Sequence, residues 1–385
     1  MKQKIAILGS TGSIGKTLLD IINNDQKNFK IILLTTDKNY KLLFKQAKKF
    51  KVKNLIIRDE KKYQIAIQKK TNLNIYNDFE NFDKIFKNKV DYTMSSISGI
   101  EGLYPTINII KHTKKIAIAN KESIICGWNL LNKELKKNKT DFVPVDSEHF
   151  SLWYALKYLN INQVERIFIT ASGGPFQNLP LNKFKNITIS QALKHPNWKM
   201  GKKISIDSAT MMNKVFEIIE AQKIFNIPYK KINILVHPKS YIHAIVKFKS
   251  GMIKIIAHDT NMTIPIHNSI YFKNSEFLKT KKVDLEILNN LQFKNVDYDK
   301  FPITKVISKL SDKDSLFETV LVSANDELVN LFLKKKIKFT DIAKKLKKFL
   351  SLKDYIRYKY LKPNSVSSIL KLNKYVRFKI KNLSI

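Results

Sequence analysis

At 385 residues the chain has room for two or three domains, and its 44% hydrophobic content is that of an ordinary folded protein. The longest apolar runs, such as 116–119, are far too short to span a membrane. The formal charge of +38 is scattered as Lys-Lys and Lys-Lys-Lys runs with no single basic tail, a pattern that gives a field attractive to anions rather than a nucleic-acid docking site.

Strand-like sequence begins at Lys4, which leaves no room for a cleavable leader. Cys126 is the only cysteine, so no intrachain disulfide can form, and a cytoplasmic protein is the expectation. Glycine is scarce: 10 residues, against roughly 27 at an average usage of about 7%. Nine of them fall in five places: 9/12/15, 99/102, 127, 173/174 and 201. A chain this poor in glycine should keep it where backbone geometry or a close ligand requires it.

In chain order, Lys4–Leu8 reads as a strand, 9–15 as a tight turn and Lys16–Asn23 as a helix, followed by a strand at Phe29–Thr35. A helix at Tyr40–Phe50, a strand at Asn54–Ile57, and strands at Asp91–Ser95 and Lys115–Ala119 continue the alternation. That pattern predicts a mostly parallel sheet. A second region begins near 142–145. It holds a strand at Arg166–Thr170, a loop at 171–176, a helix from about Ser190, a mobile loop at 195–201 and a helix from about Ala209 to Phe225. Consecutive strands near Ile232–Val236, Ala244–Phe248 and Ile253–Ala257 make this region α+β. From about Pro302 the pattern turns helical, at Thr304–Leu310, Ser315–Phe332, Phe339–Leu350 and Ser365–Val376, with Ser365 as an N-cap. The fold class is thus α/β: an N-terminal Rossmann-like domain, a central α+β domain and a C-terminal helical domain. The boundaries fall at 1–145, 146–275, a 276–300 linker and 301–385.

Gly9-Ser-Thr-Gly-Ser-Ile-Gly15 follows a strand and opens a helix, a setting suited to a dinucleotide pyrophosphate at the helix N-terminus. At the end of the second strand, Asp37 favours the ribose hydroxyls of NAD and Lys38 favours the 2′-phosphate of NADP, so the residues alone leave the cofactor open. Asn120-Lys121-Glu122 closes another apolar strand. In Asp146-Ser-Glu148-His149 an extended backbone would point both carboxylates to one side, and with Glu217 they would offer three oxygen donors for Mg²⁺ or Mn²⁺. Ser172-Gly-Gly174 and the helix start carrying Ser208, Asn213 and Lys214 supply hydroxyl, amide, ammonium and N–H donors for a phosphate. His195-Pro-Asn-Trp198-Lys-Met-Gly201 reads as a lid able to exclude water. His237 and His243 read as structural, and Cys126 as a packed residue.

These segments, together with Ala-Ser-Gly-Gly-Pro-Phe at 171–176, Asp-Ser-Ala-Thr-Met-Met-Asn-Lys at 207–214 and the late Ala324-Asn-Asp-Glu, resemble the 1-deoxy-D-xylulose 5-phosphate reductoisomerase family over nearly the whole chain. The resemblance implies a homodimer that uses NADPH and a divalent metal. It converts 1-deoxy-D-xylulose 5-phosphate to 2-C-methyl-D-erythritol 4-phosphate in non-mevalonate isoprenoid synthesis. It places Thr11, Gly12, Ser13, Ile14, Lys38, Asn39, Asn120, Glu122 and Gly201 on NADPH, and Asp146, Glu148 and Glu217 on the metal. Lys121, Ser147, Glu148, Ser172, His195, Ser208, Asn213, Lys214 and Glu217 would meet the substrate, with Lys121, Glu148, His195 and Trp198 as the catalytic set. The sequence departs from the family pattern at Asp37, Val215 and Thr263. Two other readings are a semialdehyde dehydrogenase-type enzyme, which needs a nucleophilic cysteine, and a basic nucleic-acid-binding protein, which needs steeply salt-dependent binding. The resemblance implies a small phosphorylated sugar as partner, with no specific nucleic acid and no membrane.

Overall fold

A computed structural model describes residues 2–69, 71–198, 200–271 and 276–383. The chain divides into two compact units. One comprises 1–123, 129–146 and 262–278, the other 124–128, 147–261 and 279–385.

The first unit is built on a seven-stranded sheet. Its strands are β1 (Gln3–Leu8), β2 (Phe29–Thr36), β3 (Asn54–Ile57), β4 (Asn74–Tyr76), β5 (Val90–Ser95), β6 (Thr113–Ile118) and β7 (Asp141–Pro144). They lie in the order β4-β3-β2-β1-β5-β6-β7, and every pairing is parallel. The sequence order reverses at β1, which puts the carboxyl ends of β1 and β5 at the switch point where such sheets bind ligands. Ile5, Ala6, Ile7 and Leu8 are all fully buried, the continuous apolar run of a strand covered on both faces. The helix Ser13–Asn23 buries Leu18, Leu19 and Ile22 in the same core. Ile266 and Ile270 of the helix Thr263–Tyr271 pack there too, and Tyr271 donates its hydroxyl to Asp25 at 2.7 Å.

The second unit carries a four-stranded sheet in the order β11-β10-β8-β9. Its strands are β8 (Val164–Ala171), β9 (Ile232–Val236), β10 (Ile242–Phe248) and β11 (Ile253–Ala257). β8 runs parallel to β9 and antiparallel to β10, which is antiparallel to β11. The helix Ser147–Leu156 packs on β10 and β11. The helix Phe317–Leu333 packs against Phe339–Phe349 and Val366–Leu383. Ser365 is the N-cap expected, accepting from the Ser368 N–H at 3.1 Å. No helix among the described residues is long and apolar enough to cross a membrane.

Three local expectations are corrected. The helix expected from Ala209 to Phe225 is two helices, Lys202–Ala209 and Met212–Phe225, broken where Met211 adopts φ +66°. Ser208 therefore lies in the last turn of the first helix, not at the start of the second. The Asp146–Glu148 pair does not share an extended segment, because Ser147 already opens a helix. The segment read as a helix at Thr304–Leu310 is a 3₁₀ helix at Pro302–Lys309.

Glycine is spared even at helix ends, where it usually takes the left-handed conformation. Lys51, Lys139 and Asn226 cap their helices with φ of +54°, +51° and +51°. Lys51 and Lys139 are exposed, so glycine there removes backbone strain without losing packing. Lys51→Gly and Lys139→Gly are each expected to raise stability by about 0.5–1 kcal/mol. Urea unfolding checks this, and a loss of stability in both variants would refute it.

Candidate active site

In the first unit the glycine turn is shaped by close packing. A Cβ on Gly15 would lie 2.5 Å from the Gly9 carbonyl oxygen and 2.6 Å from the Ser10 Cα, so the helix can approach the turn only without a side chain there. Ser10 is buried and locked: its hydroxyl meets the Gln46 carbonyl oxygen at 2.8 Å, and the Gln46 amide donates back to the Ser10 carbonyl at 2.9 Å. Gly12 provides no side-chain cap, so the first N–H groups of the helix face outward for an anion. Ser13 is exposed in that first turn, and Ile14 packs its side chain on the core. Thr11 and Thr36 share a hydroxyl hydrogen bond of 2.7 Å, which ties the turn to the end of β2.

Two expected cofactor residues are occupied as caps. The Asn39 side chain accepts from the Leu42 N–H at 3.3 Å. Asn120 accepts from the Ser123 N–H at 2.7 Å, and its amide donates to the Ile97 and Gly99 carbonyls, the latter at 2.7 Å. Glu122 is buried in the first turn of the helix Lys121–Asn138. Lys121 is buried beside it and pairs with Asp146 at 2.8 Å, just past the end of β7.

In the second unit, Glu148 and Glu217 meet around one ammonium. Lys214 Nζ donates to Glu148 Oε1 at 3.0 Å and to Glu217 Oε2. The Asn213 amide donates to the other Glu217 oxygen, one helical turn away, and the Ser147 hydroxyl donates to Glu148 Oε2 at 2.6 Å. Each acid offers an oxygen within 4.8 Å of the other. His149 Nε2 donates to the Glu217 carbonyl at 2.8 Å, joining the two helices that carry these acids. Burial alone would raise the Glu148 carboxyl, but Lys214, with His243 and the Ser147 hydroxyl, outweighs it and holds Glu148 well below the usual carboxylate range. Burial likewise works against the Lys214 ammonium, and the two glutamates more than reverse it, so the group stays charged. One ammonium is thus shared between two carboxylates. Val215 is fully buried within this helix.

A second cluster lies beside it. Gly174, at φ +67°, places its backbone against the Ser208 carbonyl, where a Cβ would lie only 2.8 Å away. The Ser172 hydroxyl oxygen accepts from the Gly174 N–H at 3.0 Å. His195 Nδ1 accepts from the backbone N–H groups of Asn197 and Trp198 at 3.1 and 3.0 Å, which puts the ring proton on Nε2. Nε2–H then donates to Ser172 at 3.1 Å. With its oxygen accepting twice, the Ser172 hydroxyl keeps its own proton for a further partner. Trp198 is half-buried, edge-on to His243 with ring centroids 6.2 Å apart. His243 in turn stacks on His258 at 3.7 Å. Gly201 caps the helix Lys202–Ala209 at an ordinary φ of −66° with open space at its Cβ, so neither strain nor crowding demands glycine there.

The sequence reading missed Asp207. It is buried, accepts from the Asn325 amide at 2.7 Å and pairs with Lys203 at 3.0 Å. Lys203 also reaches Asp326 at 3.0 Å. The late Ala324-Asn-Asp-Glu string thus braces the helix that carries Ser208. The Lys203–Asp207 spacing, one helical turn, was the available signal. Cys126 is buried, which does not suit the nucleophile that the semialdehyde dehydrogenase reading needs.

A parallel dinucleotide-type sheet in one unit, with a lysine–dicarboxylate and hydroxyl–imidazole site in the other, defines the class: a nicotinamide-linked oxidoreductase acting on an anionic substrate. Family models described as 1-deoxy-D-xylulose 5-phosphate reductoisomerase, its C-terminal domain and the DXP reductoisomerase C-terminal domain match residues 5–127, 142–225 and 259–379. The curated 1-deoxy-D-xylulose 5-phosphate reductoisomerase of Pelagibacter ubique (strain HTCC1062) is 59% identical over the full length of both chains. That of Sulfurihydrogenibium sp. (strain YO3AOP1) is 39% identical over 91% of this chain and 92% of its own. Among solved structures, the Zymomonas mobilis reductoisomerase in complex with NADPH superposes with a TM-score of 0.90 at 32% identity, covering 100% of this chain and 99% of that one. A DOX-P reductoisomerase in complex with NADPH, fosmidomycin and magnesium gives 0.87 at 30% identity, with 99% and 97% covered. The chain belongs to the 1-deoxy-D-xylulose 5-phosphate reductoisomerase family.

The His195 imidazole is pushed down to about 4, first by burial and then by the Lys214 ammonium. An unfolded histidine titrates near 6.5. Between these values the unfolded chain takes up a proton that the folded one refuses. The contribution is therefore complete above about 6.5, shrinks as pH falls toward about 4 and changes no further below. An NMR titration of the ring should show the low midpoint, and His195→Gln should lose less stability than wild type between pH 6.5 and 4. A midpoint near 6.5 would refute the assignment.

Proposed function

We propose that Asp146, Glu148 and Glu217 hold the divalent cation with which this reductoisomerase carries out the NADPH-dependent isomerisation and reduction of 1-deoxy-D-xylulose 5-phosphate. The product is 2-C-methyl-D-erythritol 4-phosphate, for isoprenoid synthesis. The observation that carries the reading is the buried Lys214 ammonium between Glu148 and Glu217, a cation already seated between two of the three acids. Asp146 stands two residues before Glu148 in the chain. When bound, Mg²⁺ or Mn²⁺ supplies Lewis-acid stabilisation of developing oxyanion charge, and NADPH supplies the hydride.

The chain's own residues orient the substrate. Ser172, Ser208, Asn213 and Lys214 bind its phosphate, with the Ser172 hydroxyl proton kept for a further partner. The phosphate is remote from the reacting carbons, so its binding energy fixes their position. His195 stays neutral at pH 7 and serves as a donor through Nε2. Lys121 and Ser147 contact the substrate beside Asp146 and Glu148. Trp198 closes over it and excludes water. On the cofactor side, Thr11, Gly12, Ser13 and Ile14 meet the pyrophosphate through the open helix start. Asn39 and Asn120, committed as caps, offer their backbones, with Lys38, Glu122 and Gly201 completing the set. In this reading residues 1–145 bind NADPH, 146–275 hold metal and substrate, and 301–385 form the helical domain after the 276–300 segment.

The working unit in this reading is a homodimer. β11 is a sheet edge, with Met252, Ile253 and Ile255 exposed by 69%, 55% and 49%. An apolar edge of this kind is a template for pairing with a second copy. The lone cysteine suits a reducing cytoplasm.

Glu217→Gln should lower kcat by about 100-fold or more. It should also weaken Mn²⁺ binding, read by electron paramagnetic resonance, by about 10- to 100-fold at unchanged circular dichroism. Undiminished Mn²⁺ affinity would remove Glu217 from the metal site. Ile255→Lys should shift the sedimenting species from dimer to monomer. A dimer that survives it places the interface elsewhere.

A further inference from the structure

The carboxyl ends of β2 and β3 run on together past their last paired residues. Thr36 is paired with Ile57. One step further the Arg58 N–H donates to the Thr36 carbonyl at 3.0 Å, and the Asp59 N–H to the Asp37 carbonyl at 3.1 Å. These two bonds bring the backbones of Asp37, Arg58 and Asp59 to one rim at the carboxyl end of the sheet.

Arg58 is exposed but not loose. Its Nη1 donates to the Asn77 carbonyl at 2.7 Å, and its guanidinium lies 5.3 Å from the centre of the buried Phe79 ring. Asn77 is itself fixed, with its amide donating to the Ile57 carbonyl at 3.0 Å. A planar guanidinium anchored through Nη1 keeps further N–H donors in a fixed plane. Lys38 is on the same rim, 4.0 Å from Asp59 and two-thirds exposed. Asp59 is already committed, because its carboxylate caps the helix Glu60–Ile67 through the Lys62 N–H at 3.0 Å.

On this rim the charges of Asp37 and Asp59 cancel those of Lys38 and Arg58. Without Arg58 the rim is net negative. In a dinucleotide-binding sheet this is where the adenosine ribose lies, and an acid after the second strand suits bare hydroxyls and repels a 2′-phosphate. Asp37 stands there in a chain that uses NADPH.

We propose that Arg58 is the residue that makes this rim accept NADPH: it offsets Asp37 and, with Lys38, receives the 2′-phosphate. The proposal rests on the NADPH reading of the glycine turn and adds the residue that sets its selectivity. Calorimetric titration of the full chain with 2′,5′-ADP and with 5′-AMP tests it, because the two differ only in the 2′-phosphate. Arg58→Met, which keeps an apolar cover on Phe79 without the charge, should weaken 2′,5′-ADP by about 10- to 100-fold, the range of a charge-assisted contact, and leave 5′-AMP within about twofold. Adding Asp37→Gly to Arg58→Met should restore much of the loss. Equal weakening of both nucleotides, or of neither, overturns the role of Arg58 while leaving the dinucleotide site intact. Failure of the wild-type chain to bind either nucleotide overturns the site itself. Melting temperatures of both variants verify the fold.

Discussion

A buried ammonium held between the buried Glu217 and the partly buried Glu148 governs the second unit. Lys214 cannot lose Glu148 or Glu217 without leaving charge stranded away from water, and an unbalanced buried charge is far more disruptive than a missing contact. The neighbouring features serve that balance. His149 ties the helix bearing Glu148 to the backbone at Glu217, and Asn213 and Ser147 each donate one hydrogen bond to a carboxylate oxygen that Lys214 does not hold. Glu148 stays ionised far below neutral pH, and Lys214 stays charged between the two acids.

The cofactor side works by a different principle. Side chains that look available in the sequence, Asn39 and Asn120 among them, are used to terminate helices and pin loops. What is presented outward is backbone, through a helix start that carries no cap of its own. Backbone donors lose no rotamer freedom on binding, so the turn is organised before any ligand arrives.

Much of the fold was legible because buried strands are short apolar runs. Asn54–Ile57, whose last three residues are fully buried, falls where hydrophobicity places it, as does the partly buried Ile232–Val236. The break at Met211 was not, since a left-handed methionine carries no glycine or proline signal and is held by burial among Ala171, Val236 and Phe301. The Asp146–Glu148 spacing misled for a related reason: an alternating pattern presumes one backbone conformation, and the chain changes from strand to helix between the two acids. Asp207 and Asn325 brace the site from 118 positions apart, and although the Lys203–Asp207 spacing marks Asp207 locally, nothing local reveals its bond to Asn325.

The treatment of glycine sorts the backbone by consequence. Exposed helix ends have surrendered it to lysine, where a left-handed residue is only mildly strained, while Gly15 and Gly174 retain it against carbonyl oxygens that no side chain could pass. Gly201 belongs to neither group: its dihedral is ordinary and its surroundings are empty. At the threshold of its helix a side chain would meet neither strain nor a wall, so the backbone itself does not require glycine at this point.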